Sequence, residues 1–276
     1  MTILEAIFLA IIQGLTEFLP VSSSGHLVLA KAYMTLFGGT ELSGLNDLAF
    51  DVIVHFGTFL AVFAMFWKDI KEILTAFFLG FTHLKDLKSY SDEEPLFQYA
   101  LLLIIGMIPA GIVGILYKDD LEHLFSQPKI VAGILILTGI ILISTRFAPK
   151  IKMQLTWQKA IVIGLAQAFA LIPGISRSGS TISAALLLGV PQKDAARYSF
   201  IMVLPLILGA TLLTLFDALE QGISIDQTYV LVTGLIVSFF IGYVSLKWLI
   251  SLLNNGKFYL FSFYTIFVGV VSLFIL

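Results

Sequence analysis

The chain has 276 residues, of which 58% are hydrophobic and 12% are charged, and its formal net charge is −2. Soluble domains carry about 25% charged residues, so this composition indicates an integral membrane protein and excludes a soluble one. The net charge offers no basic surface for nucleic acid, and the lack of cysteine excludes disulfides and thiolate chemistry.

The first apolar region, residues 2–45, is interrupted by a polar turn. It contains Gln13-Gly-Leu-Thr-Glu-Phe-Leu-Pro-Val-Ser-Ser-Ser-Gly-His26, in which Pro20 cannot continue a helix and the serines expose polar groups. Such a break is tolerated at membrane depth only where protein buries it or where it lines a wet cavity. We therefore predict a re-entrant helix–loop–helix hairpin here.

Six further segments have the ~20 mainly apolar residues that a spanning helix needs. They cover residues 48–66, 96–116, 129–147, 197–216, 228–248 and 258–276. A second broken region, 155–195, lies between the third and fourth of them and is interrupted by Ile-Pro-Gly-Ile-Ser-Arg-Ser-Gly around Pro173. The predicted fold is an all-α integral membrane protein with about six transmembrane helices and two re-entrant hairpins.

The two broken loops are copies of one sequence at a single offset, the 154 residues that separate Gln13 from Gln167. At this offset the identical pairs are Gln13 and Gln167, Ser22 and Ser176, Ser24 and Ser178, and Gly25 and Gly179. The chemically different pairs are Glu17 and Leu171, Ser23 and Arg177, and His26 and Ser180. This pattern indicates that one loop took acid/base groups and the other a fixed cation.

Charges in the loops predict the orientation of the chain. Segments 67–95 and 146–159 carry four lysines or arginines each, and 249–257 adds Lys257, next to Lys247, so these three are predicted to be cytoplasmic. Segments 117–128 and 217–227 are mainly acidic and are predicted to be external. With six crossings, both termini lie outside and the two hairpins enter from opposite sides. We therefore predict a single membrane domain built as an inverted repeat of about 1–147 and 155–276, with the loops meeting near the midplane.

The loop residues suit an anionic ligand. Serines accept hydrogen bonds from the free N–H groups of a helix start, and helix starts attract phosphate. The predicted caps and ligand-binding serines are Ser22, Ser24, Ser176 and Ser178. Gly25 and Gly179 permit close approach of the backbone to a ligand, and Arg177 offers a bidentate fork that matches phosphate.

The first loop also carries reactive groups. Ser23 and His26 share a face if the helix begins at the serines, and Glu17 lies one turn after Gln13 on the incoming helix. A hydroxyl, an imidazole and a carboxylate form an activated nucleophile, while Gln13 and Glu17 offer oxygen ligands for Mg²⁺ or Ca²⁺. A serine-rich turn between apolar helices usually serves only as a helix cap. Ionisable groups at membrane depth are usually functional, so the two loops together favour a functional site.

One other pair of residues is a candidate site. Asp51 and His55 are spaced i,i+4 on the segment 48–66. They could hold a cation, or they could form a polar contact between helices, since no third ligand is evident.

With these residues identified, the chain resembles the undecaprenyl-diphosphate phosphatase (bacitracin-resistance, BacA/UppP) family. The resemblance rests on the segment from Gln13 to His26 and on Pro173-Gly-Ile-Ser-Arg-Ser-Gly179, which is followed by Ser180 and Thr181. It spans essentially the whole chain, including Phe50-Asp-Val-Ile-Val-His-Phe-Gly-Thr58. The chain departs at Thr265, where many family members have an arginine.

The resemblance implies a bacterial plasma-membrane (inner-membrane) enzyme, acting on the external, periplasmic face, that hydrolyses undecaprenyl diphosphate to undecaprenyl phosphate and phosphate. It implies a divalent metal, a role in supplying the lipid carrier for peptidoglycan, and bacitracin resistance when the protein is abundant. The implied metal positions are Gln13 and Glu17, the Ser/His pair is Ser23 and His26, and Arg177 binds phosphate. We also predict that Thr181 contacts the substrate. A homodimer is one of the expected assembly states.

Our leading hypothesis is that Ser23 attacks the terminal phosphorus, with His26 as base and Glu17 orienting it or binding metal. Direct attack by His26, or by water, stays open. The rival classes are a polyprenyl-phosphate transporter (flippase), because broken helices at the midplane are typical of transporters, and a phosphatase for another lipid diphosphate.

Overall fold

The computed structural model describes residues 1–38, 45–149, 151–221, 225–253 and 257–276. All regular elements in these residues are helices, and they contain no strand. Together with the apolar spans below, this confirms the predicted all-α integral membrane protein. Lys150, and parts of the loops predicted at 217–227 and 249–257, lie outside the described residues.

The helices of the first part of the chain are α1 (Ile3–Thr16), α2 (Ser23–Leu36), α3 (Leu45–Met65), α4 (Trp67–Gly80), α5 (Leu87–Glu93), α6 (Pro95–Leu116), α7 (Lys118–Phe125) and α8 (Pro128–Ser144). Those of the second part are α9 (Trp157–Phe169), α10 (Arg177–Leu187), α11 (Gln192–Met202), α12 (Leu204–Gln221), α13 (Ile225–Leu253) and α14 (Phe261–Ile275). Short 3₁₀ turns cover Phe81–Asp86, Thr145–Phe147 and Phe258–Leu260.

Five helical stretches of the described residues are long and apolar enough to cross a membrane. They are Pro95–Leu116, Pro128–Phe147, Gln192–Leu212, Thr228–Leu253 and Phe258–Ile275, and they confirm five of the six predicted spans. The sixth differs, because Ala49–Met65 is followed by Trp67–His83 at a bend of 80°. The chain is thus a multi-pass membrane protein with one sharply bent pair of apolar helices.

The bend changes the interpretation of residues 67–95, which the sequence assigned to a loop. They form α4, a 3₁₀ turn and α5 instead. Ile70, Ile73 and Ala76 recur at helical spacing and are all buried, so an apolar stripe folds this charged segment onto its neighbours. Gly80 completes the stripe where it faces the ring of Phe97 in α6.

Both broken regions form the predicted pairs of short helices. The helices of the first pair have 14 residues each and those of the second pair 13 and 11. A 14-residue helix rises about 21 Å, which is less than the hydrocarbon thickness of about 30 Å. The first helix of each pair packs along a long helix of the other part of the chain, α1 along α13 and α9 along α6.

The packing of α9 on α6 depends on a close approach at Gly164. A Cβ atom built there would lie 2.5 Å from the carbonyl oxygen of Gly106. We expect Gly164→Ala to separate these helices and to cost about 1–3 kcal/mol of stability, measured as thermal unfolding in detergent. Gly133→Ala is the matched control, because a Cβ at Gly133 meets nothing within 4 Å. Equal losses in both variants would contradict this account.

Candidate active site

The first loop begins where α1 ends. The N–H of Glu17 still donates to the carbonyl of Gln13 at 2.9 Å, and the next residue, Phe18, is buried with its ring edge against Phe200, 5.7 Å between centroids. The chain then turns, and Ser22 caps α2 by accepting a hydrogen bond from the N–H of Gly25 at 3.2 Å. The loop is thereby anchored on both sides of its polar residues.

Ser22 has an unusual backbone conformation. Its φ is +70°, and no other non-glycine residue of the described chain has a positive φ. A residue outside glycine, asparagine and aspartate in this region stores strain on the order of 1–3 kcal/mol, which the surrounding structure must maintain. The strain fixes the carbonyl of Ser22 where the ring of His26 can reach it.

The second loop repeats the geometry of the first. Ser176 caps α10 by accepting from the N–H of Gly179 at 3.0 Å, and the Ser176–Ser178 hydroxyl distance of 3.3 Å equals the Ser22–Ser24 distance. The 154-residue offset therefore relates equivalent caps, as the serine pattern predicted. Thr138 in α8 holds this loop, because its hydroxyl donates to the carbonyl of Gly174 at 2.7 Å and accepts from the N–H of Ser176 at 3.0 Å.

The two loops touch each other through their glycines. A Cβ on Gly25 would lie 3.1 Å from the Cα of Gly174, and one on Gly179 would lie 3.4 Å from the carbonyl oxygen of Pro20. Ser178 adds a direct bond from its hydroxyl to the carbonyl of Leu19 at 3.2 Å. The close approach that we predicted toward a ligand is thus an approach of one loop to the other, and ligand contact by these glycines stays a prediction.

Glu17 lies at the centre of the site. The guanidinium of Arg177 donates to its Oε1 at 2.6 Å, and Ser23 Oγ donates to its Oε2 at 2.6 Å. The Nε2 of Gln13 donates to the same Oε2 at 2.9 Å. The Glu17 side chain is only 6% exposed, so a buried carboxylate binds three other predicted site residues.

The pair of Glu17 and Arg177 also explains how charge is tolerated here. A buried charge without a partner is costly, whereas a close, hydrogen-bonded pair offsets much of its desolvation. One guanidinium nitrogen, Nη1 of Arg177, is nevertheless buried and has no hydrogen-bond partner in the described residues. Buried donors are normally paired, so this N–H group is available to an anion that enters the site.

His26 does not bond to Ser23, the neighbour that the sequence suggested. Its Nδ1 lies 2.8 Å from the carbonyl oxygen of Ser22, and its Nε2 lies 2.9 Å from the hydroxyl of Tyr264 in α14. Since a carbonyl only accepts, Nδ1 carries the proton, and Nε2 of the neutral ring accepts from Tyr264. The rings of His26 and Tyr264 are also parallel, with 5.5 Å between their centroids.

Two residues of the site were not predicted. Tyr264 lies 238 residues from His26 in sequence and is one aromatic residue among many in an apolar helix, so no local signal marks it. His55 Nε2 lies 3.7 Å from Glu17 Oε2, while its Nδ1 donates to the carbonyl of Asp51 at 2.7 Å. The Asp51 carboxylate instead pairs with Lys31 at 2.7 Å, so Asp51 and His55 take part in different contacts and His55 belongs beside Glu17.

Two further positions flagged by the sequence are buried in helix contacts. The hydroxyl of Thr181 donates to the carbonyl of Arg177 at 2.8 Å and lies 2.6 Å from the hydroxyl of Ser199, so it braces the first turn of α10. Thr265 is fully buried, bonds to the carbonyl of Ser262 and faces Gly139 of α8. The neighbouring Tyr264, rather than Thr265, reaches the site.

The oxygen atoms of Gln13 and Glu17 suit a divalent cation, but they complete its coordination only together with the oxygens of a bound phosphate. Gln13 Oε1 is buried without a hydrogen-bond partner in the described residues, while Nε2 of the same side chain contacts the Glu17 carboxylate. No group of three or more His, Cys, Asp or Glu residues in that part of the chain, this site included, is placed to hold a metal ion by itself. Mg²⁺ commonly uses one or two carboxylates plus phosphate oxygens, so this donor pair is consistent with a metal that a phosphate would complete.

Comparison with known proteins gives matches over nearly the whole chain. The family described as "Bacitracin resistance protein BacA" matches residues 6–271. A protein of Halothermothrix orenii is 41% identical, covering 98% of this chain and 97% of the relative. A protein of Christiangramia forsetii is 41% identical, covering 99% and 98%, and one of Salinibacter ruber is 35% identical over the full length of both. Each of these relatives is named undecaprenyl-diphosphatase.

Proposed function

The chain belongs to the BacA family of bacitracin resistance proteins, and on this basis we propose that it is an undecaprenyl-diphosphatase, a membrane hydrolase that converts undecaprenyl diphosphate to undecaprenyl phosphate and inorganic phosphate. The reaction regenerates the lipid carrier used for peptidoglycan, as expected from the sequence. The observation that carries the proposal is the convergence of Ser23 and Arg177 on the two oxygens of one buried carboxylate, Glu17.

Binding of the diphosphate is the first task of the site. The free Nη1 of Arg177 and the starts of α2 and α10 provide positive potential for the phosphoryl oxygens. Phosphoryl transfer depends mainly on positioning and on stabilising charge on these oxygens. Arg177 is the only member of the cluster around Glu17 with a fixed positive charge, so it is the proposed transition-state cation.

Nucleophilic attack is proposed for Ser23. Its hydroxyl proton passes to Glu17 Oε2, at 2.6 Å, as Oγ bonds to the terminal phosphorus and the bond from that phosphorus to the bridging oxygen breaks. Undecaprenyl phosphate leaves, and water then hydrolyses the serine phosphate to release inorganic phosphate. This assigns to Glu17 the role of base toward Ser23 that the sequence suggested for His26, whose two nitrogens bond elsewhere. His26 Nε2 is the proposed base toward the water of the second step. Direct attack by His26 Nε2 is the alternative.

A divalent cation, Mg²⁺ or Ca²⁺, is proposed as a cofactor. Gln13 Oε1 and Glu17 would hold it, and when bound it would supply additional positive charge to the diphosphate oxygens. A purified protein that keeps its full activity in excess chelator would contradict this part of the proposal.

Phosphate release from undecaprenyl diphosphate by the purified protein tests the function. We expect release by the wild type and a large loss in both Ser23→Ala and His26→Ala. Mapping a trapped phosphoenzyme separates the two nucleophiles, and phosphate on neither residue would favour water. Lipid translocation without phosphate release would instead favour the transporter, and release only from other lipid diphosphates would favour the paralogue.

Removing the phenol of Tyr264 is expected to alter the reaction through His26. Tyr264→Phe keeps the stacked ring but removes the donor to Nε2, so His26 loses one of the two bonds that fix its orientation. We expect kcat to fall by about tenfold, which is the lower range for losing acid/base positioning, and the pH profile to change. Tyr259→Phe is the matched control on the preceding 3₁₀ turn. An unchanged pH profile in Tyr264→Phe would contradict this role.

The orientation in the membrane is proposed as external for the 117–128 segment and cytoplasmic for 146–159. The chain has no cysteine, so single introduced cysteines report accessibility without a background. We expect Ser126→Cys to react with an impermeant thiol reagent in intact cells and Lys152→Cys to react only after the membrane is opened; both residues are exposed. The reverse pattern would invert the proposed topology. A homodimer stays a prediction, which the mass of the protein in detergent would test.

A further inference from the structure

An apolar groove of about 550 Å³ runs between the end of α13 and the start of α14. Leucine and phenylalanine side chains form most of its walls, namely Leu249, Leu252, Leu253, Leu260 and Phe261. Its two polar residues, Lys257 and Tyr264, belong to the connecting segment and to α14 respectively. The groove therefore has an apolar wall and two chemically distinct polar positions.

The groove and the candidate active site share one residue, Tyr264. This side chain lines the groove and also places its hydroxyl 2.9 Å from His26 Nε2. Lys257 lies seven positions earlier in the chain and marks the other end, where its charged head can reach the polar boundary of the membrane while its stem covers apolar surface. A ligand lying in this groove would have one end beside Tyr264, the residue that contacts His26, and the rest against leucines.

We propose that this groove binds the isoprenoid chain of the lipid substrate, with the prenyl units nearest the diphosphate lying between Tyr264 and the leucines of α13. The inference rests on the proposed function, which supplies a ligand that is anionic at one end and apolar along its length. An apolar wall that starts at Tyr264 matches this chemistry, because burial of a hydrocarbon chain is favourable and does not require specific polar contacts.

A second apolar groove provides a comparison for this assignment. It has a volume of about 320 Å³ and is lined by residues of α3, α4 and α6, including Phe63, Leu74 and Ile104. None of its lining residues is hydrogen-bonded to Glu17 or His26 in the described part of the chain. A prenyl chain bound there would not be placed by the catalytic groups, so this groove serves as the internal control.

The test compares undecaprenyl diphosphate with methyl diphosphate, a short substrate that carries the same diphosphate but no prenyl unit. Leu252→Trp fills the groove, and we expect it to lower kcat/KM for the long substrate by about tenfold while changing the short substrate much less. Ile104→Trp adds the same side chain to the second groove and is expected to leave both values near wild type. Equal losses for long and short substrates, or an equal effect of Ile104→Trp, would overturn the inference.

A second measurement uses the wild-type chain and does not depend on the folding of a variant. A prenyl diphosphate with a photoreactive group in its first units is expected to label the peptides that contain Leu252 or Phe261. Labelling confined to other helices would overturn the groove assignment. If neither substrate releases phosphate with the wild type, the proposed function itself fails, whereas release without groove labelling rejects only this inference.

Discussion

Arg177→Ala is expected to lower kcat/KM for phosphate release by about a thousandfold or more, the range seen when a cation that stabilises a phosphoryl transition state is removed. The expectation follows from its position, because one guanidinium nitrogen holds Glu17 at 2.6 Å and the other has no partner in the described residues. Phosphate release by the purified variant, measured as kcat and KM separately, checks it.

The Arg177 variant needs two controls, because Glu17 would be left buried without its counter-charge. Breaking a buried pair from one side costs about 3–5 kcal/mol, so the single variant is also expected to unfold more easily. Arg177→Lys keeps the charge but loses the fork and is expected to be intermediate in activity. The double variant Arg177→Gln with Glu17→Gln removes both charges and is expected to recover stability without activity. An active Arg177→Ala variant would contradict the proposed role.

Glu17→Gln is expected to lower kcat by about a thousandfold, because it removes the group that accepts the Ser23 proton. The amide has nearly the same shape, so packing around it is retained while Arg177 loses its ion pair. Because the chemical step is affected more than substrate binding, kcat should fall by a larger factor than KM changes. Burst kinetics with undecaprenyl diphosphate would show whether phosphoenzyme formation is the step that is lost.

Glu5→Gln is the matched control for this variant. Glu5 lies on the same helix, α1, where its carboxylate accepts from the backbone N–H of Thr2 at 2.7 Å near the helix start. Glutamine also completes the capping box that Glu5 forms with Thr2, so stability and activity should stay close to wild type. A comparable loss in Glu5→Gln would mean that the charge of α1, rather than the position of Glu17, determines the rate.

The sequence was sufficient to predict the two pairs of short helices and three of the residues that contact Glu17, namely Gln13, Ser23 and Arg177. Proline, serine and glycine interrupt an apolar stretch, and this break is visible in the sequence. The offset between Ser22 and Ser176 identifies equivalent helix caps. The shared environment of Glu17 and Arg177 could be predicted because two charges within broken membrane segments require each other. These features depend on local chemistry and on a repeat that can be recognised in the amino-acid sequence.

Other contacts could not be predicted, because they depend on how distant helices rotate about their axes. Tyr264 faces His26 while Thr265 faces α8, and a hydrophobic helix carries no pattern that tells one face from the other. His55 turns toward Glu17 only because α3 packs beside α1. The helical character of residues 67–95 was missed because their charges concealed the buried stripe of Ile70, Ile73 and Ala76.

The ion pair between Glu17 and Arg177 has a consequence for product release. At rest the protein supplies its own anion to the arginine, so any phosphate that binds must compete with a carboxylate tethered 2.6 Å away. The lipid substrate can bind in spite of this carboxylate because its chain adds apolar contacts, whereas free inorganic phosphate binds only through its charge. Inorganic phosphate should therefore be a poor inhibitor, and it can leave the site without any large movement of the helices.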